Sequence, residues 1–335
     1  MTCNNPLLIA AAVLLVTSCC TPSEEHSSRE TEEVASVLTP VQKHGALRVE
    51  GSKVLDQNGN VTRLKGVSFG WHSEWWRFFN ESSVAALKSW GAEITRCPIG
   101  LEWGKRPYAA DTELAYATVD TMVKACANQG LYLIIDFHAH DNKLDTAKVF
   151  FETVCSKYKD YTNIIYEIWN EPREVKWSEC KAYAEEILPV IRKHCPDALV
   201  IIPTPKWDQE VDKAADDPIE GYNNLLYNVH YYSAFHKEPY RAKARYAIEK
   251  GLPLIFSETG GMMHTGDDEL NMSEWEAWIS LAKKHDISWL AWSVADKVET
   301  CSMLRPGAPS EGEQWKESDL KPWAVLVRYY LQNDF

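Results

Sequence analysis

Eight short apolar runs, roughly 27 to 39 residues apart, constrain this chain more than any other feature; they lie at 62–69, 92–99, 131–138, 163–170, 198–204, 225–231, 252–258 and 287–293. Each suits a strand buried on both faces. Helical patterns fill the gaps. Ser83 to Trp90 carries Val84, Leu87 and Trp90 on one face and stops at Gly91, while Leu114, Thr118, Met122 and Cys126 recur at four-residue steps after Asp111 and stop at Gly130. Tyr183, Ile187 and Ile191 repeat that spacing, and Ser273 with Glu276 reads as a capping box ahead of Trp275, Trp278 and Ile279. Eight alternations of strand and helix predict an α/β fold, a (β/α)8 or TIM barrel. A doubly wound sheet fits less well, because no Gly-rich phosphate loop follows the first strand. A small N-terminal β-hairpin is expected ahead of it, where Leu47-Arg48-Val49-Glu50 and Lys53-Val54-Leu55-Asp56 flank Gly51-Ser52.

In such a barrel the chemistry sits where strands end. The strand-end positions are Trp71 and His72, Arg96, His138, Asn170 and Glu171, Trp207, His230 and Tyr232, Glu258, and Trp292. Two of them define the reaction. The fourth run ends abruptly in Asn170-Glu171-Pro172, and Pro172, which has no N–H and forces Glu171 into an extended conformation, stops the ladder there. The seventh ends in Glu258-Thr259-Gly260. Two buried strands that each deliver a carboxylate to the same end are the arrangement used for glycosidic bond cleavage.

Composition narrows the alternatives. A formal net charge of −13 without any Lys/Arg cluster argues against nucleic-acid binding. The 14 Trp and 15 Tyr supply flat apolar rings for a sugar cleft as well as for core packing. No Cys or His spacing indicates a metal, and no cofactor is expected. Cys180 and Cys195 fall on one predicted helix, about 22 Å apart at 1.5 Å per residue, too far to form a disulfide. At the N-terminus, Leu7 to Val16 is an apolar segment too short to span a bilayer, and Val16-Thr17-Ser18-Cys19 follows it. Residues 1–18 therefore read as a signal peptide, 19–43 as a flexible Ser/Thr/Glu/Pro linker and 44–335 as the catalytic domain.

The small residues before Cys19 resemble the lipobox of bacterial lipoproteins, in which this Cys carries the lipid. That implies export and a lipid anchor at the outer membrane or cell surface, with a secreted or periplasmic form as the alternative. The anchor is the only membrane association expected, and no obligatory protein partner is evident.

Trp-Asn-Glu-Pro on the fourth strand, His-Tyr-Tyr on the sixth, Ser-Glu on the seventh and Trp-Ser on the eighth resemble glycoside hydrolase family 5, in its bacterial endoglucanase branch. Arg96 in Ile-Thr-Arg-Cys-Pro and His138 in Ile-Asp-Phe-His match further signature positions. The resemblance implies a retaining endo-β-1,4-glucanase acting on cellulose-type or mixed-linkage β-glucan. Glu171 would be the general acid/base, Glu258 the nucleophile and Asn170 the donor to the sugar 2-hydroxyl. Arg96 would hold Glu258 ionised, and that charge would raise the pKa of Glu171. Tyr232 would hydrogen-bond Glu258, with His138 and His230 on the same floor. Trp292 would form the platform under the cleaved sugar and Trp207 would stack beyond the scissile bond, with Trp75, Lys297 and Glu299 on the other side. Thr259 stands where many members carry Trp, and whether His72 takes the role of their first-strand His is open. A mannanase or xyloglucanase on this scaffold, or a non-catalytic glycan-binding lipoprotein, are the competing readings.

Overall fold

The computed structural model describes residues 38–333. The signal segment, Cys19 and most of the linker lie outside the described residues. Folded structure begins earlier than the expected boundary at 44. Pro40–His44 form a short helix, with Thr39 and Gln42 in a reciprocal capping box and Pro40 at its start. The Val41 N–H donates to the Gly130 carbonyl (3.1 Å) and the Tyr132 hydroxyl to that of Gly45 (2.5 Å), so this segment is pinned to the domain.

The hairpin forms as expected from β1 (Arg48–Glu50) and β2 (Lys53–Leu55). The barrel strands are β3 (Lys65–Phe69), β4 (Ile94–Gly100), β5 (Tyr132–His138), β6 (Ile164–Glu167), β7 (Val200–Ile202), β8 (Leu225–Asn228), β10 (Leu254–Gly260) and β11 (Trp289–Val294). All pair in parallel, and β11 joins both β10 and β3, closing the sheet. Every apolar run of the sequence holds one of these strands. The sixth is broken. After β8 the Val229 N–H makes a last rung to Ile255 O (3.0 Å), His230 turns its N–H to Asp208 O (3.1 Å), and the short β9 (Tyr231–Tyr232) resumes the ladder against Thr259 and Gly260 of β10.

Two cores follow from the alternation of side chains along each strand. One lies inside the barrel, where Ile94, Ile134, Ile165, Ile201, Leu226, Ile255 and Leu290 meet; Leu47 and Val54 of the hairpin pack on it, so the hairpin plugs that core. The larger core lies between strands and helices. The helix Glu81–Ser89 is capped by Asn80, and Thr112–Gln129 ends at Gly130 in the left-handed conformation, where a Cβ would come within 2.3 Å of Thr39 Oγ1. One cap differs from expectation. Asn271, not Ser273, caps Met272–His285, because Met272 and Ser273 are already helical while Asn271 is extended and accepts the Glu274 N–H (3.2 Å). Among the described residues the six cysteines are buried free thiols, and no helix is long and apolar enough to cross a membrane.

Candidate active site

Beyond β6 the chain stays extended, with Asn170 N–H on Phe137 O (3.3 Å) and Glu171 N–H on Ala139 O (3.2 Å), so Glu171 is carried rigidly to the mouth of the barrel. Glu258 reaches the same place inside β10. Oxygens of Glu171 and Glu258 lie within 4.8 Å of one another. They form the floor of a cleft of about 680 Å³.

Arg96 of β4 organises this floor while fully buried itself. Its Nε and Nη2 grip the two oxygens of Glu167 (2.7 and 3.0 Å), Nη1 donates to Glu258 Oε2 (3.0 Å), and Nη2 also reaches Asp136 Oδ2 (2.8 Å) and Asn170 Oδ1 (2.5 Å). Because a guanidinium only donates, the Asn170 oxygen must face it. The Asn170 Nδ2 is thereby left buried without a partner, a donor held ready for a ligand oxygen. The Tyr232 hydroxyl donates to the other Glu258 oxygen (2.7 Å). His138 pairs with Asp136 through Nδ1 (2.7 Å) and stacks on Trp292, with centroids 5.7 Å apart and planes at 15°. Burial, with the Arg96 charge, brings His138 down to about 3, so it is neutral.

The walls are mostly as the sequence indicated. Trp207, Trp292, Lys297 and Glu299 all line the cleft, and Lys297 pairs with Glu299. Trp75 does not. Partly buried, it packs over Gly70, where a Cβ would lie 2.6 Å from its ring, and against Trp71 (centroids 5.7 Å apart), which lines the cleft instead. The two rings stand at opposite ends of one short helix, His72–Trp75, with Trp71 at its N-cap and Trp75 as its last residue. His72 is also withdrawn: fully buried, it accepts the Gly100 N–H on Nδ1 (3.0 Å) and does not line the cleft. Thr259 is consumed by the barrel wall, its hydroxyl donating to Leu290 O (2.9 Å). Sequence reasoning missed His140, whose Nδ1 stands 3.7 Å from Glu171 Oε2, and the rim formed by Phe235 and His264, 4.4 Å apart. It also missed the buried acids Asp136, Glu167 and Asp208. For the first two the available signal was a charge inside an apolar strand.

Proton affinities run opposite to the expected direction. Burial and then the Glu171 charge push Glu258 up, against His230 and Arg96. Burial pushes Glu171 up as well, but the hydrogen bond and charge of His230 outweigh it and bring Glu171 down. The cause is His230 Nδ1, 2.9 Å from Glu171 Oε1. Burial opposes charge on His230, yet Asp208, Glu167 and Glu171 around it hold its pKa well above the ordinary imidazole value. The proton assigned from sequence to Glu171 is thus shared with its neighbour. Two sets of atoms, Glu167–Asp208–His230 and Glu171–His230–Glu258, are close enough to hold a cation. Each is already served by donors from Arg96, Tyr232, Asn228 or Ser257, which makes it a proton network.

A closed (β/α)8 barrel with two strand-end carboxylates this close, under an aromatic-walled cleft, has the architecture of a retaining glycoside hydrolase. The family model for cellulase (glycosyl hydrolase family 5) matches residues 55–298, and the chain belongs to that family. Among its relatives, an endoglucanase of Clostridium saccharobutylicum is 33% identical over 294 residues, 85% of this chain and 64% of that protein. Endoglucanase Z of Dickeya dadantii is 34% identical over 286 residues, covering 83% and 66%. The chain thus spans under two thirds of the length of either relative. The catalytic domain of Thermobifida fusca endoglucanase Cel5A superposes with a TM-score of 0.84 at 30% identity, over 88% of this chain and 100% of that domain.

Proposed function

We propose that the protein is a retaining endo-β-1,4-glucanase that cuts cellulose-type or mixed-linkage β-glucan internally by double displacement. The observation that carries this reading is the close approach of Glu171 and Glu258 across the cleft floor, each with its own donors. A retaining mechanism places its carboxyl groups about 5 to 5.5 Å apart, leaving no room for a water between nucleophile and sugar. Glu258 attacks the anomeric carbon while the proton shared by His230 and Glu171 passes to the departing oxygen. As Glu258 becomes an ester its charge disappears, and Glu171 then takes a proton from the incoming water. Asn170 Nδ2 is the donor for the 2-hydroxyl. The cleft runs from Trp207, beyond β7, to Trp71, Lys297 and Glu299, beyond β3 and β11, and this suits a chain lying across the mouth. That its relatives carry the name endoglucanase supports the same substrate class.

The N-terminal segment supports a second part of the reading: export, with lipid on Cys19 and residues after it as a tether at the cell surface. Labelling with a radioactive fatty acid, lost on Cys19→Ala, tests it. The activity is tested by reducing-sugar release from carboxymethylcellulose, mixed-linkage glucan, xyloglucan and galactomannan in parallel. Release from the first two with a rapid fall in viscosity is expected. Release confined to xyloglucan or galactomannan overturns the substrate, and release from none overturns the enzyme.

A further inference from the structure

Asp208 stands on the far side of His230 from Glu171, and the double displacement leaves it without a task. It is fully buried in the turn after β7. Its Oδ1 accepts the Thr204 N–H (2.5 Å); its Oδ2 accepts from Asn228 Nδ2 (2.9 Å) and lies 3.5 Å from His230 Nε2. Lys206, Trp207 and Asp208 have φ of 54, 56 and 58°, left-handed values that residues with side chains seldom adopt and that Asp and Asn tolerate best. The turn is docked on the loop that carries Glu171, with Trp207 N–H on Pro172 O (2.8 Å) and Lys206 N–H on Arg173 O (3.1 Å).

Counting hydrogens gives Asp208 its role. Asn228 Nδ2 has two hydrogens and three neighbours, Glu167 Oε1 (3.0 Å), Asp208 Oδ2 (2.9 Å) and His230 Nε2 (2.8 Å). The carboxylates are the stronger acceptors and take both. His230 Nε2 then faces Ser257 Oγ (2.9 Å), whose single hydrogen has Glu167 Oε1 (2.9 Å) and Asn228 Oδ1 (3.0 Å) within reach; given to the Glu167 carboxylate, the strongest acceptor of the set, it leaves Nε2 to donate to Oγ. Only Nδ1 is left variable. One proton sits either on Nδ1 facing a Glu171 carboxylate, or on Glu171 facing a bare Nδ1. The titratable groups around His230 include Glu167 of β6, Glu171 beyond it, Asp208, Glu258 of β10, Asp136 of β5 and His236; His138 and His140 face Glu171 from the end of β5. Burial pushes the Asp208 carboxyl up, against the charge of His230. Each of its oxygens accepts from an N–H donor, Thr204 N–H on Oδ1 and Asn228 Nδ2 on Oδ2, and these bonds favour the ionised form.

We propose that Asp208 is a positioning residue for the acid/base: by engaging one of the two Asn228 N–H groups it keeps His230 protonated on Nε2 and leaves Nδ1 free to exchange a proton with Glu171. This rests on the role given to Glu171 above. Asp208→Asn tests it, since Asn accepts the same backbone conformation and can still receive the Thr204 N–H. Its amide would face that of Asn228 donor to donor. Asn228 then turns a hydrogen to His230 Nε2, and Nδ1 becomes a fixed donor that holds Glu171 ionised. The expected result is a fall of about tenfold or more in kcat/KM on β-glucan, with the alkaline limb displaced downward by about half a pH unit, against a loss of about threefold or less on 2,4-dinitrophenyl β-cellobioside, whose leaving group needs no proton. Equal losses on both substrates, an unchanged enzyme, or an upward displacement overturn the proposal. Imidazole 15N spectra of the unaltered protein decide without a variant. Neutral His230 should carry its hydrogen on Nε2, and a neutral form protonated on Nδ1 contradicts the hydrogen count. If the unaltered protein cleaves neither substrate, the glucanase reading fails and the spectra still judge Asp208.

Discussion

Tyr232→Phe removes one of the two donors that hold the Glu258 carboxylate and changes almost nothing else, because the ring stays in its buried slot. The Tyr232 hydroxyl lies 2.7 Å from Glu258 Oε1, and burial, with the neighbouring carboxylates, keeps its own pKa well above the ordinary phenol value. It therefore donates at every working pH and stabilises only the ionised form of Glu258. A hydrogen bond to a charged group contributes about 1.5 to 3 kcal/mol. At about 1.36 kcal/mol per pH unit, its loss raises an apparent pKa by roughly 1 to 2 units. Burial and the Glu171 charge already push Glu258 up, and the variant moves it further in the same direction. The nucleophile must be ionised to attack. The acid limb of kcat/KM therefore moves to higher pH by about 1 to 2 units, while the alkaline limb, set mainly by the proton shared between His230 and Glu171, moves less. The two carboxyl groups titrate as a unit, so each limb belongs to the pair. The assay is kcat/KM on an aryl β-cellobioside across the pH range, with thermal unfolding as the control for folding. An acid limb that stays put or moves down refutes the role assigned to the hydroxyl.

Glu258→Ala should abolish turnover and unfold at nearly the same temperature as the unaltered protein; near-normal activity would reject the nucleophile. Glu171→Ala should lose about 10² to 10⁴ in rate on unactivated glucan. Azide added to that variant should be captured as a β-glycosyl azide, and an α product contradicts retention. Arg96→Met leaves Asp136, Glu167 and Glu258 buried without their shared counter-ion, which should cost about 3 to 5 kcal/mol in urea unfolding. A loss under about 1 kcal/mol would mean that the guanidinium does not hold the floor together.

The barrel was legible because each buried strand lies in a short, mostly apolar run, and runs of this length between amphipathic segments admit few folds. Glu171 and Glu258 were legible for the same reason: they terminate such runs. What escaped is what depends on contacts between strands distant in sequence. The expected proton on Glu171 was assigned from Arg96 and Glu258 alone, and the group that decides it, His230, comes from the break between β8 and β9. Trp75 and Trp71 cannot be told apart in sequence, since they stand at opposite ends of one short helix and only Trp71 lines the cleft. Asp136 and Glu167 did leave a trace, a charge in the middle of an apolar run, which is tolerable only with a buried partner such as Arg96. Asp208 left none. Its surroundings look like an ordinary polar loop, and only the left-handed turn brings its carboxyl under His230. The helix Pro40–His44 was hidden by a polar composition that also suits a tether; Thr39, Pro40 and Gln42 carried its capping signal.

The most direct measurement of the central claim is the anomeric configuration of the first product, followed by proton NMR as the protein cleaves cellopentaose faster than the sugar mutarotates. With Glu171 and Glu258 this close, the account predicts that the β-anomer appears first and the α-anomer grows in only later. Initial release of the α-anomer would require a water between the carboxylates and an inverting mechanism, and would contradict it.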